Sequence, residues 1–178
     1  MLEQIIIGGF GGQGVLLMGQ LLAHAGMLEG KQVIWLPSYG PEMRGGTANC
    51  NVVISDEKIG SPMVTDADTV IVMNIQAFEK YEKNVVPGGK LFVNSSLIDA
   101  KSERTDIDIY YVPASGIANE LGNTRTANMV MLGAYLEKAK TVSPETLLEC
   151  LKIKFGVRKA KLIPINEKAI AAGAESVK

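Results

Sequence analysis

The sequence predicts a three-layer α/β domain, a mostly parallel sheet covered by helices on both faces, and three observations predict it. Short apolar runs alternate with helical patterns along the whole chain, as in strands joined through crossover helices. The segment Thr69–Met73 is almost wholly apolar, as befits a central parallel strand buried on both faces. A glycine-rich turn, Gly8–Gly14 (GGFGGQG), joins the first apolar run to the first helical pattern. A length of 178 residues suits a single domain, residues 1–178, with a sizeable core.

Each element has its own signal. Ile5–Ile7 is the first strand, and Val15–Leu28 is a helix with a broad apolar surface and small residues at Gly19, Ala23 and Gly26. Gly30 closes that helix as a C′ residue. Val33–Leu36 is the second strand and Ala48–Ile54 the third, with Ser38–Thr47 between them too rich in glycine and proline for a regular element. Ile75–Lys83 is a short amphipathic helix after the fourth strand, Thr69–Met73. A turn at Pro87-Gly88-Gly89 precedes the fifth strand, Lys90–Asn94, and Ile107–Val112 is the sixth. Ala114–Leu121 reads as a helix closed by Gly122, and Asn123 or Thr124 caps a long apolar helix over Ala127–Lys140. Ser143-Pro144-Glu145 is a strong helix start: a serine cap, proline in the first turn, then an acid at the positive end. That helix ends near Phe155-Gly156, and Asn166 is read as the cap of a last one over Glu167–Val177.

Composition narrows the function. Hydrophobic residues make up 47% and charged residues 21%, ordinary for a globular protein. The 18 basic and 19 acidic side chains nearly cancel, so the basic excess of a nucleic-acid-tracking surface is missing. The apolar runs are short and interrupted, which argues against a membrane span, and Ile5–Ile7 lacks the basic flank of a signal peptide. Cys50 and Cys150 have no metal-ligand spacing and read as buried thiols of a reducing cytoplasm. The single histidine, His24, has no carboxylate, serine or cysteine near it in sequence and reads as structural.

Two segments carry chemistry. Gly9, Gly11 and Gly14 match G-x-G-x-x-G, the Rossmann-like fingerprint, with Gly12 and Gln13 inside it. On that pattern Gly9 allows a tight turn, Gly11 a close backbone approach and Gly14 close contact between helix and sheet. The free N–H groups at the start of the following helix then face an anion. The second strand, however, ends Leu36-Pro37-Ser38, without the acid that holds a dinucleotide's ribose, and the loop lacks the Lys-Ser/Thr pair of a nucleoside triphosphate site. The second segment, Ser38–Thr47 (SYGPEMRGGT), places Arg44, Gly45 and Gly46 where they can face an anionic ligand or a partner, or where Arg44 pairs with Glu42 and merely fixes the loop. Asn74 and Asn94 stand just beyond two strand ends, and Asp68 just ahead of one.

These motifs resemble the gamma subunit of the 2-oxoacid:ferredoxin oxidoreductases, the group acting on pyruvate, 2-oxoisovalerate, 2-oxoglutarate and indolepyruvate. The matching residues are Gly8–Gly14, Tyr39-Gly40-Pro41-Glu42, Arg44-Gly45-Gly46, Ala67-Asp68, Pro87-Gly88-Gly89 and Asn128–Gly133 (NMVMLG). The resemblance implies a non-catalytic subunit that helps to bind coenzyme A. In a doubly wound sheet the two loops can emerge at the same carboxyl edge, so Gly9, Gly11, Gly12, Gln13, Gly14, Arg44, Gly45 and Gly46 are expected as the contacting residues. It implies that thiamine diphosphate, Mg2+ and iron-sulfur clusters lie on partner alpha and beta subunits or on a ferredoxin-like delta subunit, with ferredoxin as acceptor. Two isolated cysteines agree, since a four-cysteine cluster needs four. The substrate pocket is expected on other chains; 2-oxoglutarate is favoured for a compact, separately encoded gamma subunit, with a branched-chain 2-oxoacid and pyruvate as the alternatives. The apolar helix Ala127–Lys140, which is equally compatible with an internal place, or the Ser38–Thr47 segment is expected at a subunit interface, with a homodimer in isolation as one way to cover it. Other readings are an independent nucleotide-binding enzyme and a purely structural assembly subunit.

Overall fold

The computed structural model describes residues 1–38 and 47–178. Its six strands are β1 (Leu2–Phe10), β2 (Gln32–Ser38), β3 (Thr47–Ser55), β4 (Ala67–Val72), β5 (Val85–Asn94) and β6 (Asp108–Val112). Six helices join or follow them: α1 (Val15–Leu28), α2 (Ile75–Tyr81), α3 (Ala114–Glu120), α4 (Ala127–Ala139), α5 (Pro144–Phe155) and α6 (Ile163–Glu175). The strands form one sheet in the order β2-β3-β1-β4-β5-β6. β1, β4, β5 and β6 pair in parallel, whereas β3 is antiparallel to both its neighbours, β2 and β1. The expected three-layer, mostly parallel arrangement is therefore present, with one reversed strand inserted between β1 and β2.

Alternation along β1 explains the layers. Ile5 and Ile7 point into a thick helical layer in which α1, α4, α5 and α6 pack together, while Ile6 points to the other face with Val70, Val72 and Val93. That second face is covered by the short α2, through Ala77, Phe78 and Tyr81, and by irregular segments carrying Val64 and Ile98. Residues Asn128 through Leu136 of α4 are all buried, so this helix is apolar because it is surrounded. Of the two places expected for this helix, internal or at a subunit interface, the structure shows the internal one. Its partner is α6, which it approaches backbone to backbone: a Cβ on Gly133 would overlap the carbonyl of Ile170, and one on Gly173 the carbonyl of Val130.

Helix ends follow the sequence signals with two exceptions. The expected Asn123 or Thr124 cap of α4 is one: α4 starts from Thr126 with no side-chain cap bond, and Asn123 caps a 3-10 turn ahead of it. After α1, Gly30 takes φ 77, its N–H reaches the Met27 carbonyl, and the Lys31 N–H reaches that of Gly26, closing a Schellman motif. Ser143 caps α5, its Oγ accepting from the Thr146 N–H at 3.1 Å. Asn166, expected as the cap of α6, lies inside it. The helix begins at Ile163 with Pro164 in its first turn, and the buried Asn166 donates Nδ2 back to the Leu162 carbonyl at 2.7 Å. Proline's fixed φ starts this helix, and no side-chain cap is involved. The Pro87-Gly88-Gly89 turn is also revised: these residues belong to β5, and Gly88 at φ 80 marks an irregularity in the β4–β5 register.

Candidate functional site at the carboxyl edge of the sheet

β1 runs further than its apolar core suggests. Gly8 and Gly9 are strand residues, paired with Asn49 and Ala48 of β3, so the tight turn expected at Gly9 begins after Phe10. The glycine at position 9 serves packing, because a Cβ there would lie 2.7 Å from Gln13 Oε1, 2.8 Å from Val15 Cγ2 and 2.9 Å from Met73 Cβ. The positive φ angles of the loop fall at Gly12 (92°) and Gly14 (76°). Gly14 is the N-cap residue of α1, and a Cβ on it would overlap the buried amide of Asn128 at the start of α4. The close contact made by Gly14 is therefore with a neighbouring helix, where the sequence pattern placed it against the sheet.

Gln13 shapes this loop. Its Oε1 accepts from the Phe10 N–H at 2.6 Å, and its Nε2 donates to the Met73 carbonyl at the end of β4 at 3.1 Å. The side chain expected to contact the ligand thus ties the loop to the sheet. What remains for a ligand is backbone. The N-cap glycine offers α1 no side-chain cap, and the first turn of α1 contains no acid. The contrast with α5 is direct, since that helix has both Ser143 and Glu145 at its start. The positive end of α1 is left without a counter-charge of its own.

Across the loop the chain returns through the connection between α3 and α4. Asn123 accepts from the Arg125 N–H at 3.1 Å, fixing a single 3-10 turn at Thr124–Thr126. Ser115, at the start of α3, hydrogen-bonds Asn94 Nδ2 at 3.0 Å, so the buried Asn94 positions α3 and is no part of a surface site. Together Gly12, Gln13, Ser115, Thr124 and Arg125 line a cleft of about 280 Å³, floored by Met73. Arg125 is exposed, and among the described residues it is the one cation in the lining of this cleft. It was missed in the sequence; the only available signal was the polar run Gly122–Thr126 between two apolar helices.

The remaining expected residues distribute as follows. Arg44, Gly45 and Gly46 lie outside the described residues. The strand ends that bracket them are at this same edge, because Thr47 pairs with Phe10 and Ser38 with Asn49. Asn74 caps α2, accepting from the Ala77 N–H at 2.9 Å. Asp68 sits at the opposite, amino edge, where it accepts from the Gln4 N–H at 2.8 Å. Cys50 and Cys150 are free and buried as expected, and burial pushes the Cys50 thiol up to about 12. A larger cavity, about 780 Å³, opens among α4, α5 and α6 beside Glu29 and Lys31, lined by apolar residues and side chains of both charges. Among the described residues no helix is long and apolar enough to cross a membrane.

The sequence from residue 4 to residue 176 matches the family described as pyruvate ferredoxin/flavodoxin oxidoreductase. The chain belongs to that family. The ketoisovalerate oxidoreductase subunit VorA of Methanothermobacter thermautotrophicus is 40% identical over 97% of this chain. This chain spans 36% of the length of that subunit. The 2-oxoglutarate synthase subunit KorC of Methanocaldococcus jannaschii is 38% identical over 83% of this chain and 80% of its own length. The gamma subunit of a keto/oxoacid ferredoxin oxidoreductase from Geobacter sulfurreducens superposes with a TM-score of 0.84 at 29% identity, covering 98% of each chain. The 2-oxoglutarate:ferredoxin oxidoreductase of Magnetococcus marinus, solved with 2-oxoglutarate, coenzyme A and succinyl-CoA bound, gives a TM-score of 0.89 at 28% identity. There the match covers 99% of this chain and 31% of the other. The gamma-subunit resemblance read from the motifs is borne out, and so is the fold within the pyruvate ferredoxin/flavodoxin oxidoreductase family.

Proposed function

We propose that this chain is the gamma component of a 2-oxoacid:ferredoxin oxidoreductase, and that its carboxyl-edge cleft holds a phosphate group of coenzyme A. The complex converts a 2-oxoacid, coenzyme A and oxidised ferredoxin into acyl-coenzyme A, carbon dioxide and reduced ferredoxin. Thiamine diphosphate and iron-sulfur clusters, bound by alpha, beta or delta partners, supply the carbon–carbon cleavage and electron transfer. This chain's two buried thiols do not suit it to hold a cluster, so its part is to position the thiol substrate. The assembly works in the cytoplasm. 2-Oxoglutarate and ketoisovalerate are the substrates to assay first, after the relatives named above.

The observation that carries the reading is the uncapped, acid-free start of α1, which follows directly on Gly12 and Gln13, the loop residues that line a cleft together with Arg125. The Gln13 N–H is given to the Phe10 carbonyl at 3.2 Å, so the backbone N–H groups of Gly12 and of Gly14 to Leu16, with the Arg125 guanidinium, form an anion cradle of the kind that phosphates occupy. The coenzyme A-bound relative supports the choice of anion. Arg44, Gly45 and Gly46 are proposed as further donors on sequence grounds, since the strand ends flanking them share this edge.

Steady-state kinetics of the reconstituted oxidoreductase, varying coenzyme A and 2-oxoacid separately, test the proposal. Replacing Arg125 with alanine removes a charge-assisted bond of about 1.5–3 kcal/mol. Apparent affinity for coenzyme A then falls roughly 10- to 150-fold, while the 2-oxoacid dependence stays put. Lysine restores part of the loss, keeping the charge without the planar fork. An unchanged coenzyme A dependence in a variant that assembles normally would remove Arg125 from the site. The isolated chain is expected to show no 2-oxoacid oxidation.

A further inference from the structure

The end of α5 carries a feature that the cleft does not use. From Lys152 to Lys161 the sequence KIKFGVRKAK contains Lys152, Lys154, Arg158, Lys159 and Lys161, and no acid occurs between Glu149 and Glu167. The chain as a whole has a net charge of −1, so this run is a local excess. Gly156, at φ 56, ends the helix and turns the chain into a 3-10 segment at Val157–Leu162. All five cations are exposed, and among the described residues none belongs to an ion pair. Lys154 bonds Gln20 Oε1 at 2.6 Å, and Lys159 lies over the Phe155 ring.

A bland explanation covers part of this run. Lys152 and Lys154 stand in the last turn of α5, where cations complement the negative helix end. Arg158, Lys159 and Lys161 lie beyond it and gain nothing there. Among them stands Val157, 96% exposed, with Ile153 four residues earlier at 56%. Two aliphatic side chains set among free cations have the anatomy of a protein interface, an apolar centre with a charged rim. Single-stranded nucleic acid would need exposed aromatic platforms, and Phe155 is half-buried. A bilayer would need a continuous amphipathic helix, which Gly156 interrupts.

We propose that this basic end of α5 is the docking surface for an acidic protein partner, one whose carboxylates surround a small apolar patch that receives Val157 and Ile153. α5 lies against α1 and runs opposite to it, Ser143 N–H meeting Glu29 at one end and Lys154 meeting Gln20 at the other. The surface therefore lies on the flank of α1, toward the glycine-loop end, and shares no residue with the cleft. The inference needs only that this domain works beside another protein, and it stands apart from the coenzyme A reading.

The test uses the native oxidoreductase, isolated through this chain together with its acceptor protein and treated with a zero-length carboxyl–amine cross-linker. Mass spectrometry is expected to join Lys152, Lys159 or Lys161 to aspartates or glutamates of one partner chain. With that partner purified, the triple variant R158E/K159E/K161E should bind it at least roughly tenfold more weakly at low salt. The difference should shrink at about 0.5 M salt, where such rim charges are screened. V157D should weaken binding at both salt concentrations, while all variants keep their melting temperature and their dependence on coenzyme A. Cross-links confined to this chain, with partner affinity unchanged in the variants, would overturn the proposal. So would a weakened coenzyme A dependence with partner affinity unchanged, which would make the run an anion funnel. Binding of the wild type to phosphatidylserine vesicles or single-stranded RNA, lost in the triple variant while partner binding persists, would overturn it as well.

Discussion

Replacing Gly14 with alanine tests how tightly the glycine loop is built. Gly14 holds φ 76, a left-handed conformation that costs an L-residue about 1–2 kcal/mol. The added Cβ also meets the Asn128 side chain, which is 5% exposed and bonds its own neighbour, Met129 N–H, at 2.9 Å. Forcing such a group aside costs about 1–3 kcal/mol more. The total is roughly 2–5 kcal/mol, a substantial part of an ordinary domain's stability. For a chain of this length it lowers the melting point by roughly 4–20 °C. Gly12 is the internal control: it has φ 92 but nothing within 4 Å of its Cβ position, so G12A carries the backbone cost alone. Calorimetry of the two variants beside G14A/N128A separates the contributions, the double variant recovering part of the clash. If G14A melts no lower than G12A, the Asn128 contact is not what makes glycine necessary.

Three further outcomes follow from the packing and the chemistry. Gly133→Ala and Gly173→Ala each push a methyl into a carbonyl of the facing helix, so each should destabilise by about 1–3 kcal/mol or more. Their double variant should deviate from additivity, since both open the same α4–α6 crossing, which thermal denaturation of all three would register. Ser143→Ala removes the cap of α5 and should cost about 0.5–2 kcal/mol in chemical denaturation. Cys50, its thiol raised by burial to about 12 against the ordinary 9.0, should resist alkylation at pH 8 in the folded chain and react on unfolding. Because the folded thiol binds its proton more tightly than the unfolded one, its contribution is complete below about pH 9 and is lost as pH rises towards 12. A stability profile that is flat across that window in wild type and falls in Cys50→Ala would contradict this.

How far the sequence reaches can be judged element by element. Local signals were reliable: Ser143-Pro144-Glu145, the C′ glycine at Gly30 and the apolar Thr69–Met73 run all report short-range physics. Direction was harder. The pattern of Ala48–Ile54 is compatible with a parallel or an antiparallel strand, and side-chain alternation does not distinguish them. The informative quantity was spacing: Ser38 and Thr47 are too close in sequence for a parallel crossover, which takes a dozen or more residues. The site was legible only on the side made from contiguous sequence. Gly12, Gln13 and Gly14 stand next to one another, whereas Arg125 and Asn128 reach the loop only through the packing of α4 against α1. Gln13 shows a further limit, for its residue type suggested a ligand contact and its geometry ties it to Phe10 and Met73.

The central claim is that the start of α1 and Arg125 hold a phosphate of coenzyme A. A structure of the assembled oxidoreductase with coenzyme A bound tests it most directly. The account predicts a phosphate oxygen about 2.7–3.2 Å from backbone N–H groups between Gly12 and Leu16, with the Arg125 guanidinium on the same group. Coenzyme A whose phosphates all contact other chains, leaving this cleft to solvent, would contradict it.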